Sequence, residues 1–393
     1  IFTRKLFFME ELAYRSIAFV GFFIISLIAW LTGSKEKINK KTIIGSIFLA
    51  WAIGGMTFWF PWTRIALEWI NNILVSILQA SQKGSIFLFG PLAISPGESL
   101  ADGTKSIGFV LAMQVLPSVI FFSALISLLY HLNVIQKCVA LFAKVFSNSM
   151  GLSGAESFSA SASIFFGIES SISVRSYIDQ MTKSELLTLI TCMMATVAST
   201  VMGIYIIALN NIFPQIAGHL FSASIISIPC AVLISKLTIP EKKIPATLKM
   251  KSHESPKEIS LNDPVSSDGK KSINIMVTLI DGGSQGVRLA ISIATLLIVV
   301  IGLQELFNLA LELLPNVGGE SISINRILGW FIWPFTILIG LKPDELVLGS
   351  QILGSRFVET EVGAYFQLAS VQSTEIPAFS LRSFIAMTYS LCG

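Results

Sequence analysis

Charge is what this chain has least of. Only 13% of its 393 residues are Asp, Glu, Lys or Arg, while 53% are hydrophobic, and the mean hydropathy is +0.74. A soluble protein of this size carries roughly a quarter charged residues, so a water-soluble globular fold is excluded. Histidine is scarce, and His131, His219 and His253 stand far apart, so no metal site follows from them. The four cysteines, Cys138, Cys192, Cys230 and Cys392, lie in apolar segments at spacings that fit no disulfide framework, zinc site or redox pair. They read as small buried hydrophobes. The net charge of +3 sits in a few loops, which argues against a nucleic-acid partner. No nucleophile–base pair stands out, so an enzyme is not expected and no organic cofactor is implied. No cleavable signal peptide is expected either. The chain starts at Ile1 and stops at Gly393 inside an apolar run, and is expected to be a fragment at one or both ends.

What is present is a series of apolar runs near the ~20 residues that span a bilayer. The expected fold is an all-α polytopic membrane protein. Full spans are predicted at Tyr14–Leu31, Ile43–Phe60, Phe109–Leu132 (kinked at Pro117), Ser184–Leu209, Ile212–Leu237 and Val287–Leu313. Thr63–Ser81 has a helical apolar stripe interleaved with Arg64, Glu68, Asn71 and Asn72, which suits the membrane interface. Val134–Phe146, Ser272–Gln285 and Ile322–Leu341 are also expected to be interfacial or partly inserted, the last broken by Gly329, Pro334 and Gly340. Pro240–Lys271 reads as a hydrophilic loop.

Two stretches do not fit the pattern. Gly154–Arg175 holds seven serines and the carboxylates Glu156 and Glu169, with Gly167 where a turn would fall. It is long enough to dip into a membrane and too polar to cross one. Asp344–Leu368 carries Arg356, Glu359 and Glu361 and is expected to break at Gly349, Gly354 and Gly363, with Glu359 near its mouth. Irregular backbone at membrane depth survives only where protein or a water-filled cavity receives it, and an ionisable group there is a functional hypothesis by default. Each stretch precedes an apolar helix, the first of which is interrupted at Ala195–Thr200. The lysine-rich loops Lys35–Lys41 and Pro240–Lys271 flank four predicted spans. The positive-inside rule then places both in the cytoplasm only if Gly154–Arg175 is a re-entrant hairpin. Arg4, Lys5 and Arg15 would face outward, which counts mildly against this. Paired broken elements of opposite topology mark an inverted-repeat secondary transporter with its site at the midplane.

The runs SIFLFGPL (85–92), LPSVIFFSALISLLYHL (116–132), GAESFSASASIFFG (154–167), MTKSEL (181–186) and SLCG (390–393) together resemble the concentrative nucleoside transporter family over nearly the whole chain. The resemblance implies a homotrimer in a bacterial-type plasma membrane that imports nucleosides, coupled to Na+ or H+, by an elevator movement of a transport domain against a scaffold. It divides the chain into scaffold helices over 1–61, an interfacial helix and loop over 62–108, and scaffold helices over 109–148. Transport half 1 follows over 149–238, a cytoplasmic loop over 239–271, scaffold elements over 272–313, and transport half 2 over 314–393. At the first tip the family reads G-Q-[TS]-E-A-P, whereas this chain has Gly167-Ile168-Glu169-Ser170-Ser171, without the Gln and the Pro. The resemblance implies a nucleoside site of Glu169, Ser170, Val201, Thr360 and Glu361, Thr360 replacing an Asn. It implies a Na+ site of Ser163, the Phe166 carbonyl, Thr196 and the Val197 carbonyl, Ser163 replacing an Asn. Oxygen ligands suit a hard cation. The bland alternatives are an Arg356–Glu361 salt bridge, a capping role for Glu156 and a Thr196 hydroxyl bonded to its own helix. The altered tip leaves a same-fold symporter for another small polar solute as an alternative, and a non-transporting, receptor-like homologue as a further one.

Overall fold

In the computed structural model the described residues are 2–36, 38–95, 99, 103–245, 274–316, 321–373 and 377–392. Side chains at 2–11, 61, 64, 168, 169, 171–173, 175 and 176 lie outside that description. Helices dominate, and no β-strand occurs among these residues. Seven helical stretches are long and apolar enough to cross a membrane. The chain forms two compact units: one of residues 1–32, 211–214 and 293–392, the other of residues 33–210 and 215–292. The expected sequence segments do not map onto them one to one.

The larger unit begins with α2 (Lys40–Trp59), which follows α1 (Phe2–Thr32) of the smaller unit. Asn39 caps α2 by accepting from the Lys41 amide, and Pro61 opens α3 (Pro61–Phe89) at a position whose missing N–H costs nothing. A 3-10 turn (Gly90–Ala93) and a short α4 (Leu111–Gln114) lead to α5 (Leu116–His131). The chain breaks at Val115, so Pro117 sits in the first turn of α5 and does not kink a continuous span. In α6 (Val134–Met150) Ile135, Val139, Ala143, Phe146 and Met150 form one buried face at helical spacing. Next come α7 (Gly154–Phe166), a 3-10 segment (Gly167–Gln180), α8 (Lys183–Met194), α9 (Ser199–Leu209) and α10 (Ile216–Thr238). The helix interruption expected in Ala195–Thr200 is present at Ala195–Ala198.

Three elements differ from expectation. α3 continues through Gln82–Gly84 to Phe89 and does not stop at Ser81. α11 (Ile275–Leu311) is one 37-residue helix, with no break near Gln285 between an interfacial part and a span. Gly282 and Gly286 of this helix answer to packing: a Cβ on Gly286 would lie 2.6 Å from the Ile120 Cα of α5. Helices in lipid associate through such close approaches. In the smaller unit α12 (Ile324–Ile339) runs straight through Gly329 and Pro334 and ends at Gly340, which is left-handed. It is followed by α13 (Leu346–Gln372) and α14 (Leu381–Cys392).

The termini of the larger unit's helices fix its polarity. The Ser34 amide donates to Thr238 O at 2.9 Å, and Lys242 pairs with Glu36. The two lysine-rich loops therefore lie at the same end. Asn71, in the first half of α3, accepts from the Ala217 amide, where α10 begins. Gln114, just before α5, donates to Leu92 O and Ile94 O beyond the end of α3.

Candidate substrate and ion site in two re-entrant hairpins

The first hairpin is built from its caps upward. Ser153 and Glu156 form a capping box at the start of α7, and Thr182 and Glu185 form another at the start of α8. The Ser153 hydroxyl also donates to Glu185 at 2.6 Å, so the segment 154–180 leaves and returns to the same place. Gly167 makes the turn with φ +55°, a backbone conformation that favours glycine. This is where the sequence placed it. The mouth lies at the end with the lysine-rich loops. There Lys236 donates to Glu156 at 2.5 Å and to the Ser184 hydroxyl at 3.0 Å, and lies 3.7 Å from Glu241. The Ser184 hydroxyl donates to Ile239 O, and the Thr182 hydroxyl to Glu241. Lys236 escaped the sequence reading because it is one charge in an apolar run, 80 residues from its carboxylate partner.

The serines of α7 are buried yet satisfied. Ser157, Ser161 and Ser163 donate to carbonyls four residues back, and Ser159 to one three back. Ser163 and Ser170 face each other with their hydroxyl oxygens 2.8 Å apart. The tip rests on the interruption between α8 and α9: a Cβ on Gly167 would lie 3.1 Å from that of Ala198. The fold thus brings Ser163, Phe166 and Ser170 to the stretch holding Thr196 and Val197. Thr196 also donates to Cys192 O at 3.0 Å. The groups near this contact include hydroxyl and carbonyl oxygens, the ligand type hard cations take. Val201 lies half-buried in the first turn of α9. The backbone of Glu169 follows the turn, but its side chain, like that of Arg175, lies outside the described residues.

The second hairpin is α13. Its two ends meet at neighbouring residues: Glu345 accepts from the Ser380 amide at 2.7 Å, while Gln372 accepts from the Phe379 amide at 3.0 Å. A 27-residue helix whose ends meet has folded back on itself, and the fold is at Thr360, with φ 65° and ψ 179°. The expected breaks at Gly349, Gly354 and Gly363 are therefore corrected. Those glycines are helical and admit close neighbours; a Cβ on Gly354 would lie 2.9 Å from that of Leu328. Glu359, expected near the mouth, stands beside the turn. Glu361 follows it and pairs with Arg356 at 3.0 Å, the salt bridge weighed above, and Arg356 also donates to Ser390 O. Thr360 and Glu361 belong to the smaller unit, and the other candidates to the larger.

Two helical hairpins that enter and leave on one side, the first resting on a broken helix, define a secondary transporter of the inverted-repeat type. Sequence comparison supplies the family. Residues 20–92 match the model for the Na+ dependent nucleoside transporter N-terminus, 112–211 that for nucleoside recognition, and 219–393 that for the Na+ dependent nucleoside transporter C-terminus. The chain belongs to the concentrative nucleoside transporter family. It is 29% identical over 379 residues to the nucleoside permease NupC of Helicobacter pylori, covering 95% of this chain and 84% of the relative. It is also 29% identical over 342 residues to human solute carrier family 28 member 3, covering 84% and 45% respectively. The structure of CNTnw in an inward-facing substrate-bound state superposes with a TM-score of 0.82 at 25% identity, covering 97% of this chain and 86% of CNTnw. A doubly substituted CNTnw in an outward-facing state gives a TM-score of 0.83 at 26% identity, covering 97% and 86%. These relatives are transporters and permeases, and the chain is a multi-pass membrane transporter and not an enzyme.

Proposed function

We propose that the chain is a symporter that imports nucleosides across a bacterial-type plasma membrane, driven by Na+ or H+ moving down its gradient. The observation that carries this reading is the tip of the first hairpin seated on the break between α8 and α9. That seat collects hydroxyl and carbonyl oxygens where a cation and a polar solute would meet. Glu169, Ser170, Val201, Thr360 and Glu361 bind the nucleoside, the two carboxylates accepting from its hydroxyl and N–H groups. Ser163, Thr196 and the carbonyls of Phe166 and Val197 bind Na+. The halves 149–238 and 314–393 move as a transport domain against the remaining helices, which form the scaffold of a homotrimer. The stretch Thr63–Ser81 of α3 lies at the membrane interface in this reading, although α3 is long and apolar enough to cross.

Cation and substrate together neutralise and fill the site, and only the filled or wholly empty transport domain crosses. Uptake of radiolabelled uridine into proteoliposomes, with imposed Na+ or H+ gradients, tests this. Gradient-driven accumulation is expected, and its absence for every nucleoside and base sinks the reading. The tip residues Gly167-Ile168-Glu169, which lack the family's amide, favour a second reading: a same-fold symporter for another small polar solute. Thermal stabilisation by small carboxylates but by no nucleoside would select it.

A further inference from the structure

Four carboxylates are buried among the described residues: Glu156, Glu185, Glu345 and Glu359. The first three stand at helix N-termini, where exposed amides and the positive end of the helix dipole favour an anion. Glu359 does not. It is the last residue before the turn at Thr360, at the C-terminal end of the first arm of α13, where the dipole opposes negative charge. It lies about 20 Å from the start of that arm at 1.5 Å per residue, and is 7% exposed.

Its partners are neutral. Asn325 donates to Oε1 at 3.1 Å and Gln367 to Oε2 at 2.7 Å. Among the described residues no lysine, arginine or histidine pairs with it. The charged groups on the elements packed against it are engaged elsewhere: Arg326 of α12 with Ser321 O and the Trp330 ring, Arg356 with Glu361, and Arg382 of α14 with Gly340 O and the Tyr14 ring. The Tyr365 hydroxyl donates to Thr388 O. The fold keeps room for this carboxylate, because a Cβ on Gly363 would lie 2.6 Å from Oε2. The amide network continues to Gln304, whose Nε2 reaches Asn325 Oδ1 at 3.4 Å and whose own Oε1 has no donor.

We propose that Glu359 is a proton-carrying group, loaded and unloaded in step with nucleoside transport. This rests on the symporter reading and names one of its coupling ions. A buried carboxylate held only by neutral amides, at the negative end of a helix, has no fixed cation beside it and leaves that place to a mobile one. The proton bonds to a carboxylate oxygen on the side of arrival and returns to water on the other; nothing is oxidised or reduced. The adjacent turn couples loading to substrate, because Thr360 and Glu361 follow immediately.

The test uses the full chain in proteoliposomes with trapped pyranine and added uridine under an inward proton gradient. Wild type is expected to acidify the lumen as uridine enters. Glu359→Gln is expected to lose at least tenfold of that acidification and the pH dependence of uptake, while uridine counterflow persists. Glu359→Asp keeps acidification with a displaced pH profile, and serves where the Gln variant fails to fold. Glu305→Gln, an exposed neighbour of Gln304, changes neither. Uridine uptake without acidification in wild type, undiminished acidification in Glu359→Gln, or an unmoved pH profile in Glu359→Asp overturns the proposal and leaves the symporter standing. Absence of any nucleoside uptake instead overturns the symporter reading beneath it.

Discussion

Hairpin 1 turns on Gly167 and is bound at its mouth by Lys236; hairpin 2 turns on Thr360, and among the described residues no lysine or arginine side chain pairs with Glu345 at its mouth. Both stitch the starts of two helices together with one hydroxyl–carboxylate bond, but in opposite senses. In hairpin 1 the cap of the first helix, Ser153, donates to Glu185 on the second. In hairpin 2 Ser383 on the second helix donates to Glu345 at the start of the first. The shared stitch shows how a hairpin can be held at its base while its tip stays polar. The difference lies in where charge is stored. Among the charged side chains described, hairpin 1 gathers Glu156 with Lys236 and Glu241 at its mouth beside the lysine-rich loops, whereas hairpin 2 adds Arg356, Glu359 and Glu361 around its turn to Glu345 at its mouth.

The comparison breaks most visibly at the mouths. Lys236→Met leaves Glu156 buried with no cation, a change that typically costs about 3–5 kcal/mol. Glu345→Gln removes hydrogen bonds but no ion pair and is expected to cost about 1–3 kcal/mol. Thermal unfolding of the purified variants should rank them in that order. The double variant Lys236→Met with Glu156→Gln should recover much of the loss, since no lone charge then remains. Equal destabilisation at both mouths would show that the cation is incidental to hairpin 1.

At the turns the two hairpins should respond with opposite signs. Gly167→Ala places a Cβ against Ala198 in a conformation that L-residues avoid, and is expected to cost about 1–3 kcal/mol. Thr360 already adopts such a conformation. Thr360→Gly relieves about 1–3 kcal/mol of strain against about 0.5–1 kcal/mol for glycine's greater freedom in the unfolded chain. The net expectation is a gain of about 1 kcal/mol, read as a higher unfolding midpoint. Uridine uptake should fall all the same, because the tip loses its fixed geometry. A Thr360→Gly variant less stable than wild type would remove strain from the account of hairpin 2.

That contrast also explains what could be read from the sequence. Gly167 was legible because glycine is the residue a left-handed turn asks for, and the helix interruption at Ala195–Ala198 because small and β-branched residues interrupt an apolar run there. The turn at Thr360 was not, since a threonine forced to φ 65° is set by tertiary packing and contradicts its own propensity. Gly349 and Gly354 of α13 were misread for the converse reason: they admit close neighbours, which one sequence cannot tell from a break. Lys236–Glu156 and the amide shell of Glu359 join residues 80 and 34 positions apart. Pairings that distant leave no local pattern.

The smallest expected effect on stability falls at the tip of hairpin 2 and carries the sharpest functional contrast. Arg356 and Glu361 keep 19% and 33% of their side-chain surface exposed. A double-mutant cycle with Arg356→Gln and Glu361→Gln should therefore give a coupling of about 0.2–1 kcal/mol in thermal stability. If the pair were merely structural, uptake would follow stability, and both single variants would transport almost normally. If Glu361 holds the nucleoside, Glu361→Gln lowers uridine uptake more than tenfold at nearly unchanged stability. Arg356→Gln then lowers it less, because the carboxylate remains and loses only the guanidinium that orients it. The order of the two single variants in KM, set against their order in unfolding midpoint, decides whether the bridge serves the fold or the cargo.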